Sequence, residues 1–523
     1  MNLKLLAILT LSAFTSAGSV SNFQDFGAAC SYLNSKESLP SKFTLRVDLA
    51  EDVTVPYLIF HYRDLLNFTN VPTMGSYFSK YEGSDSRQKL YEQVLEDGEF
   101  KIALNEGFEL DQDKIWKGKV EKKAKRDDDS SESGVLIELI PKSGVYCMYI
   151  APPPNTSVHL AVKQSHGYLP YINYLMYSQN KIAILIAIGL FAYLLHYTIQ
   201  FKIGPNFSNL NSLSLISRAM VFYVLPPFIL LWFIDLISGF VKNHVAENNN
   251  YFFHLMDFST VWLNQVISVM LQLFILLFSM GYGVIYCLRE SQNYLNIPRN
   301  SQYIASALFF GNIVAISLWL LQLLFSRTRD PFSVLDNGIV SRLNFENKLI
   351  VFNLFVSIFP LLWFITSMVF YFKTKKTLIK FPPVSSVEEN AVVKNNETVT
   401  SFRRSILVIF VLPVFISFLG IGIGIYKMLN SDMSSLTDLI PQTPQSPSKQ
   451  AMLESVLMVA QMEMTLLTGF LVWAVWTNYL NLFLTIGLIF AIWIKTNAGI
   501  VLVDEGFDEI AQHVTEDEDD LRL

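Results

Sequence analysis

Three sets of residues are where chemistry would come from in this chain. The first is a thiol pair, Cys30 and Cys147, in a chain with only one other cysteine, Cys287. In an oxidising compartment two such thiols pair by default, and two separately buried thiols are the other reading. The second is Lys122-Lys123-Ala124-Lys125-Arg126 followed by three aspartates. Lys125-Arg126 has the form of a dibasic site for a serine protease of the secretory pathway, and a solvated linker is the alternative. The third is a scatter of polar residues inside apolar runs: His196, Asp235, Gln272, Asn312, Asn353, Asn478 and Asn481. A polar group at membrane depth marks a functional site or a hydrogen bond between helices.

Enzymatic constellations are missing from the sequence. There is no His-Glu-x-x-His, no Cys-x-x-Cys, no phosphate-binding Gly-x-x-x-x-Gly-Lys and no Gly-x-Ser-x-Gly. The expectation is a chain that is not an enzyme and holds no metal or cofactor. Gly420, Gly422 and Gly424 sit within an apolar run rather than between a strand and a helix. Gly420 and Gly424 are four residues apart on one helical face, which suits close packing of two helices. The net charge of −6 provides no basic face for nucleic acid.

These residues must be positioned by a membrane protein. Of 523 residues, 51% are hydrophobic and only 16% charged, with a mean hydropathy of +0.35, against about 25% charged in soluble proteins. Residues 1–17 carry Lys4, a short apolar core and small residues before Ala17. They read as a signal peptide, too short to span a bilayer. Seven apolar runs of near-spanning length follow: 182–199, 219–241, 261–288, 303–325, 349–372, 405–426 and 470–494. The expected fold class is therefore a multi-pass α-helical membrane protein, a seven-transmembrane bundle over 182–495. Its N-terminus is lumenal and its C-terminus cytosolic. Lys373, Lys375, Lys376, Lys380, Lys394, Arg403 and Arg404 then fall in a cytosolic loop, as the positive-inside rule requires. Arg327, Arg329 and Arg342 fall on the other side. The apolar stretch 451–467 contains Glu454, Gln461 and Glu463 and is expected as an amphipathic or re-entrant segment. Pro226-Pro227, Pro360 and Pro413 imply kinked helices.

Ahead of the bundle, 18–165 reads as a lumenal β-rich domain. Phe43, Leu45, Val47 and Leu49 alternate with polar residues, and 53–62, 135–140, 145–150 and 158–162 also read as strands. Several short strands suggest a β-sandwich, with a helix over 85–95 and a disordered charged loop over 117–133. Asn67-Phe68-Thr69 and Asn155-Thr156-Ser157 are sequons on the lumenal side, so Asn67 and Asn155 are expected glycosylation sites. The sequons at Asn206 and Asn396 fall on the cytosolic side and should stay unmodified. Residues 166–181 form a collar, with Gly167-Tyr168-Leu169-Pro170 and an aromatic cluster, Tyr168, Tyr171, Tyr174 and Tyr177, suited to the membrane boundary. The tail 496–523 ends in Glu516-Asp517-Glu518-Asp519-Asp520, an acidic solvated segment or a docking segment for a cytosolic sorting factor.

Three short motifs in this order carry a resemblance. Gly144-Val145-Tyr146-Cys147 closes the β-rich domain, Gly167-Tyr168-Leu169-Pro170 precedes the first span, and Ser279-Met280-Gly281-Tyr282-Gly283-Val284 lies at the end of the third. The chain resembles the Golgi-dynamics-domain seven-transmembrane family, also called lung seven-transmembrane receptors, in its fungal branch. It departs at the last helix, where the family shows Trp-Arg-Pro and this chain has Trp493-Ile494-Lys495. The resemblance implies a Golgi membrane protein, cycling through endosomes, that acts in vesicle-mediated protein traffic as a cargo-binding or sorting factor. Its partners would be membrane lipids and a lumenal cargo. A receptor coupled to a G protein and an ion channel or transporter are the alternatives. The receptor needs a compact basic cytosolic surface. The channel needs a continuous polar stripe.

Overall fold

The computed structural model describes residues 20–23, 27–36, 38–48, 54–61, 64, 95–102, 115–121, 135–151, 157–203, 213–245, 251–285, 297–328, 347–380, 389–429 and 449–494. The expected signal peptide, Asn67, Lys125, Arg126, Asn155 and the acidic tail lie outside these residues.

Among the described residues, the N-terminal part has two four-stranded antiparallel sheets and a two-stranded hairpin. One sheet has the order β1 (Val20–Phe23), β10 (Ser157–Lys163), β3 (Ser41–Asp48), β8 (Val135–Ile140). The other sheet has the order β2 (Gly27–Leu33), β9 (Gly144–Ile150), β4 (Thr54–His61), β7 (Ile115–Glu121). Strand alternation turns Phe43, Leu45, Val158 and Leu160 of the first sheet onto Tyr57, Ile59, Tyr146, Met148 and Ile150 of the second, in one shared core. In β9 every residue is buried. Its second face, with Cys147 and Tyr149, and Leu58 and Phe60 of β4 are fully covered too, so the two central strands of this sheet, β9 and β4, are buried on both faces and read as near-continuous apolar runs.

One expectation for this part is corrected, and one lies almost wholly outside the described residues. The charged loop 117–133 begins later, because 117–121 belongs to β7, where Trp116 and Val120 pack on the core while Lys117 stays exposed. Of the helix expected over 85–95, only Leu95 is described. It opens β5 (Leu95–Glu96), which pairs with β6 (Glu99–Phe100) across Asp97 and Gly98, both at positive φ as a tight hairpin turn requires.

The helices are α1 (Tyr171–Thr198), α2 (Leu215–His244), α3 (Tyr251–Ser279), α4 (Arg299–Thr328), α5 (Asn347–Lys380), α6 (Glu389–Ile406), α7 (Leu412–Leu429) and α8 (Lys449–Trp493). Among the described residues, six helical stretches are long and apolar enough to cross a membrane: Tyr171–Phe201, Leu215–His244, Phe258–Ser279, Arg299–Leu321, Glu397–Lys427 and Val472–Trp493. The chain is a multi-pass helical membrane protein. The expected fifth span, 349–372, is helical throughout, within α5.

Helix ends follow local chemistry. Helix α1 starts at Tyr171, directly after Pro170, so 171–181 is helix and the collar shortens to 166–170. The expected third span, 261–288, stops at Ser279. The Gly281 N–H donates to Phe278 O and the Tyr282 N–H to Leu277 O, both 2.9 Å, with Gly281 at φ +92. This doubly bonded cap needs a glycine at its left-handed position. The π-helical turns Ala219–Val224 and Leu407–Val411 sit just before Pro226-Pro227 and Pro413, which cannot supply the next donors of the helix ladder.

The stretch 451–467 does not turn back into the membrane. It is the first half of α8, one helix of 45 residues, about 68 Å long at 1.5 Å per residue. A bilayer core needs only about 30 Å, and the surplus reaches the β layers, where α8 touches β2 and β9.

Candidate functional site: the joint between the β layers and the bundle

Strand β10 ends at Lys163 and α1 begins at Tyr171, so the chain has seven residues in which to pass from sheet to membrane helix. Gln164 and Gly167 pair back to back, the Gln164 N–H donating to Gly167 O at 2.7 Å and the Gly167 N–H to Gln164 O at 3.1 Å. Gly167 is buried, at φ +133, and a Cβ there would fall onto Asn243. Only glycine takes that conformation readily.

Asn243, in the last turn of α2, holds the turn with three hydrogen bonds. Its carbonyl accepts from the Tyr168 N–H at 3.0 Å, its Oδ1 accepts from the Leu169 N–H at 3.3 Å, and its Nδ2 donates to His166 O at 2.7 Å. The β layers attach to the same turn. Gln164 Nε2 donates to Tyr32 O at 3.2 Å and the Ser165 N–H to Asn34 O at 3.3 Å. Tyr32 lies against Tyr171, ring centroids 5.6 Å apart, and burial together with Tyr171 pushes its phenol up to about 12.

His166 is at the centre of this clasp. Its ring stacks on Tyr174 at 3.8 Å, and Nε2 donates to Leu169 O at 2.9 Å in the neutral tautomer that fits this contact. Burial lowers its pKa to about 4; the Leu169 carbonyl opposes the shift and Lys36 adds to it. Nδ1 of His166, Oγ of Ser165 and Oε1 of Gln164 are buried without hydrogen-bond partners.

A second polar group lies about three turns into the membrane helices. Asn180 Nδ2 donates to Trp232 O at 3.2 Å and to Asp235 Oδ2 at 3.3 Å, and Tyr479 OH donates to Asn180 Oδ1 at 3.5 Å. Trp476 Nε1 donates to Gln179 Oε1 at 2.7 Å. The network ties α1, α2 and α8 together. Beyond it the core turns apolar, with Ala183, Ile184, Ala187, Phe228, Phe483 and Ile486 buried in one cluster.

The residues singled out in the sequence fare differently. Asp235 joins Asn180, His196 is exposed on α1 and Asn312 is buried on α4. Asn481 has both side-chain polar atoms buried without partners, and so has Gln272 at Oε1. Gly420 and Gly424 of α7 face Thr477 and Phe470 of α8, so the small-residue face is a helix contact. The Gly281-Tyr282-Gly283 turn is fixed by Thr374 of α5, whose Oγ1 donates to Ser279 O at 2.7 Å, and Gly283 (φ +83) abuts Leu215. Cys147 is disulfide-bonded, and Cys30 is its direct register partner across β2 and β9. Cα atoms facing each other across antiparallel strands are about 4.5–5.5 Å apart, within the reach of a disulfide. Sequence reasoning missed Asn180 and Asn243. Each stands in a short polar run, Gln179-Asn180-Lys181 inside α1 and Lys242-Asn243-His244 at the end of α2, and that is the only signal either gives.

No protein-family model matches the chain, and no curated protein matches it either.

Proposed function

We propose that the chain is a membrane protein of the Golgi, cycling through endosomes, that acts in vesicle-mediated protein traffic. In this reading it belongs with the Golgi-dynamics-domain seven-transmembrane proteins it resembles. Its β-sandwich faces the lumen and binds cargo or a sorting partner, seven helices including α5 cross the membrane, and the acidic tail lies in the cytosol. One observation carries the reading. The β layers are held to the bundle at a fixed joint, by Asn243 on one side and by Tyr32 and Asn34 on the other. A module that retains cargo at a membrane needs such a joint, since a flexible tether would let bound cargo move freely above the bilayer.

Charge supports the orientation. Lys373, Lys375 and Lys376 end α5 beside Ser279, and Arg403 and Arg404 lie beside Phe402, which stacks on Tyr371. These cations therefore cluster at the end of the bundle opposite the collar, as a cytosolic end requires. The test places a fluorescent tag after Leu523 and follows it in cells. The tag should co-localise with Golgi and endosomal markers and be digested by protease added to intact vesicles, while the β part stays protected. A protected tag, or a folded protein found only at the plasma membrane, would overturn the proposal.

A further inference from the structure

The end of the β layers that meets the bundle carries cations and apolar side chains together. Register puts Lys163 of β10, Lys42 of β3 and Leu139 of β8 in one row across adjacent strands. Their neighbours Val162, Phe43 and Ile140 point into the core, so this row points outward. Like charges directly across a strand pair repel, and no carboxylate stands in the row. Lys36 and Leu39 close the β2–β3 turn, and Lys142 lies in the β8–β9 turn, where Ser143 and Ser35 exchange hydrogen bonds. None of the four lysines has an ion-pair partner among the described residues. Glu37, in the same turn by sequence, lies outside them. Three large apolar side chains sit among these cations without cover: Leu39 is 58% exposed, Ile137 55% and Leu139 49%.

One contact ties this surface to the collar: Lys163 Nζ lies over the Tyr168 ring, 5.3 Å from its centroid. The charge of Lys36 also acts on His166. Tyr168 and His166 belong to the collar, within five residues of the start of α1. The candidate membrane span Tyr171–Phe201 is 31 residues long, about 46 Å, enough to cross a bilayer with its headgroup layers. With Tyr171–Phe201 across the bilayer, the collar end of the β layers falls at the level of the lipid phosphates.

We propose that this surface rests on the bilayer: Lys36, Lys42, Lys142 and Lys163 bind lipid phosphate groups, and Leu39, Leu139 and Ile137 sink among the headgroups. Lysine suits phosphate as a point charge on a flexible stem, and apolar side chains flanked by lysines are what an interfacial contact needs. The lipid surface then adds to the attachments within the protein, namely the chain, the Asn243 clasp and the contact of α8 with β2 and β9.

The test is amide hydrogen exchange on the full chain, in nanodiscs of phosphatidylcholine with phosphatidylglycerol and in phosphate-free maltoside micelles. Segments 36–44 and 135–142 should exchange more slowly in nanodiscs. The variant Lys36→Glu, Lys42→Glu, Lys142→Glu, Lys163→Glu should lose that protection while Gly144–Ile150 exchanges as before. If the variant disturbs Gly144–Ile150, the wild-type comparison between the two media still decides. Equal exchange in both media would overturn the proposal. So would protection in micelles that survives charge reversal, because protein would then be the cover. Protection that appears only on adding an acidic peptide would also overturn it, assigning the surface to a peptide instead.

Discussion

Gly167→Ala is the sharpest perturbation of the joint. The native φ of +133 lies where L side chains are rarely found, a strain of about 1–3 kcal/mol. The new methyl group falls on the side chain and carbonyl oxygen of Asn243, so Asn243 must withdraw. Its three hydrogen bonds to Tyr168, Leu169 and His166 go with it, at roughly 1 kcal/mol net each. The clasp should therefore weaken by on the order of 4–6 kcal/mol, while each core keeps its own packing. Asn243→Ala keeps the bond to the Tyr168 N–H and loses the other two, about 2 kcal/mol. Placed on that background, Gly167→Ala should cost about 2 kcal/mol less than it does alone, since those bonds are already gone. The assay is hydrogen exchange of the 164–170 segment in nanodiscs. At about 1.4 kcal/mol per tenfold, exchange at Tyr168 and Leu169 should rise roughly a thousandfold or more in Gly167→Ala. Unchanged exchange there, or strictly additive costs in the double variant, would refute this account of the joint.

Three further outcomes follow from other parts of the molecule. His166 titrates at about 4 instead of 6.5, so between those values the folded joint binds fewer protons than the open one; with Lys36, Tyr171 and Tyr174 as the titratable groups facing it, the clasp should be fully formed above pH 6.5 and weaken as pH falls toward 4, by up to about 1.4 kcal/mol per pH unit, and a pH profile of 164–170 exchange unaltered by His166→Asn would show that another group is responsible. Gly424→Leu forces a large side chain against Phe470 of α8, which should cost about 1–3 kcal/mol and lower thermal stability in detergent; an unchanged melting temperature would mean that α7 and α8 separate without loss. If a secretory protease cuts after Arg126, the Cys147 disulfide should hold two pieces together, giving one band on a non-reducing gel and two on a reducing gel, and Lys125→Ala with Arg126→Ala should restore one; wild-type protein from Golgi-competent cells that stays full length under reduction excludes the cut.

Much of the framework could be read along the chain, because local patterns report local structure. β3, β4, β8, β9 and β10 were visible as apolar alternation or apolar runs. β2 was not, since Gly27-Ala28-Ala29 offers too little apolar contrast, and β7 was hidden by the lysines that flank Gly118. Helix positions were visible from apolar length, but their ends were set by single residues, Pro170 before α1 and Gly281 after α3. The length of α8 escaped notice because Glu454, Gln461 and Glu463 read as a break in the membrane run, whereas a helix leaving the membrane tolerates them. In the joint, the Gly-x-x-Pro collar was legible, but its partner was not. Asn243 meets Gly167 only once α1 and α2 pack antiparallel, and no local spacing encodes that meeting. The same holds for Asn180 with Tyr479, brought together from the first and last helices of the bundle.

The central claim is that a β module fixed to the bundle handles protein cargo in the secretory pathway. The direct measurement is a pulse–chase of the secreted and surface proteome in cells lacking the chain, rescued with the wild type or with Asn243→Ala expressed at equal level. The account predicts that a defined set of lumenal proteins is missorted in the deletion, restored by the wild type and not restored by Asn243→Ala. Cells lacking the chain that sort and secrete every protein at the wild-type rate would contradict it.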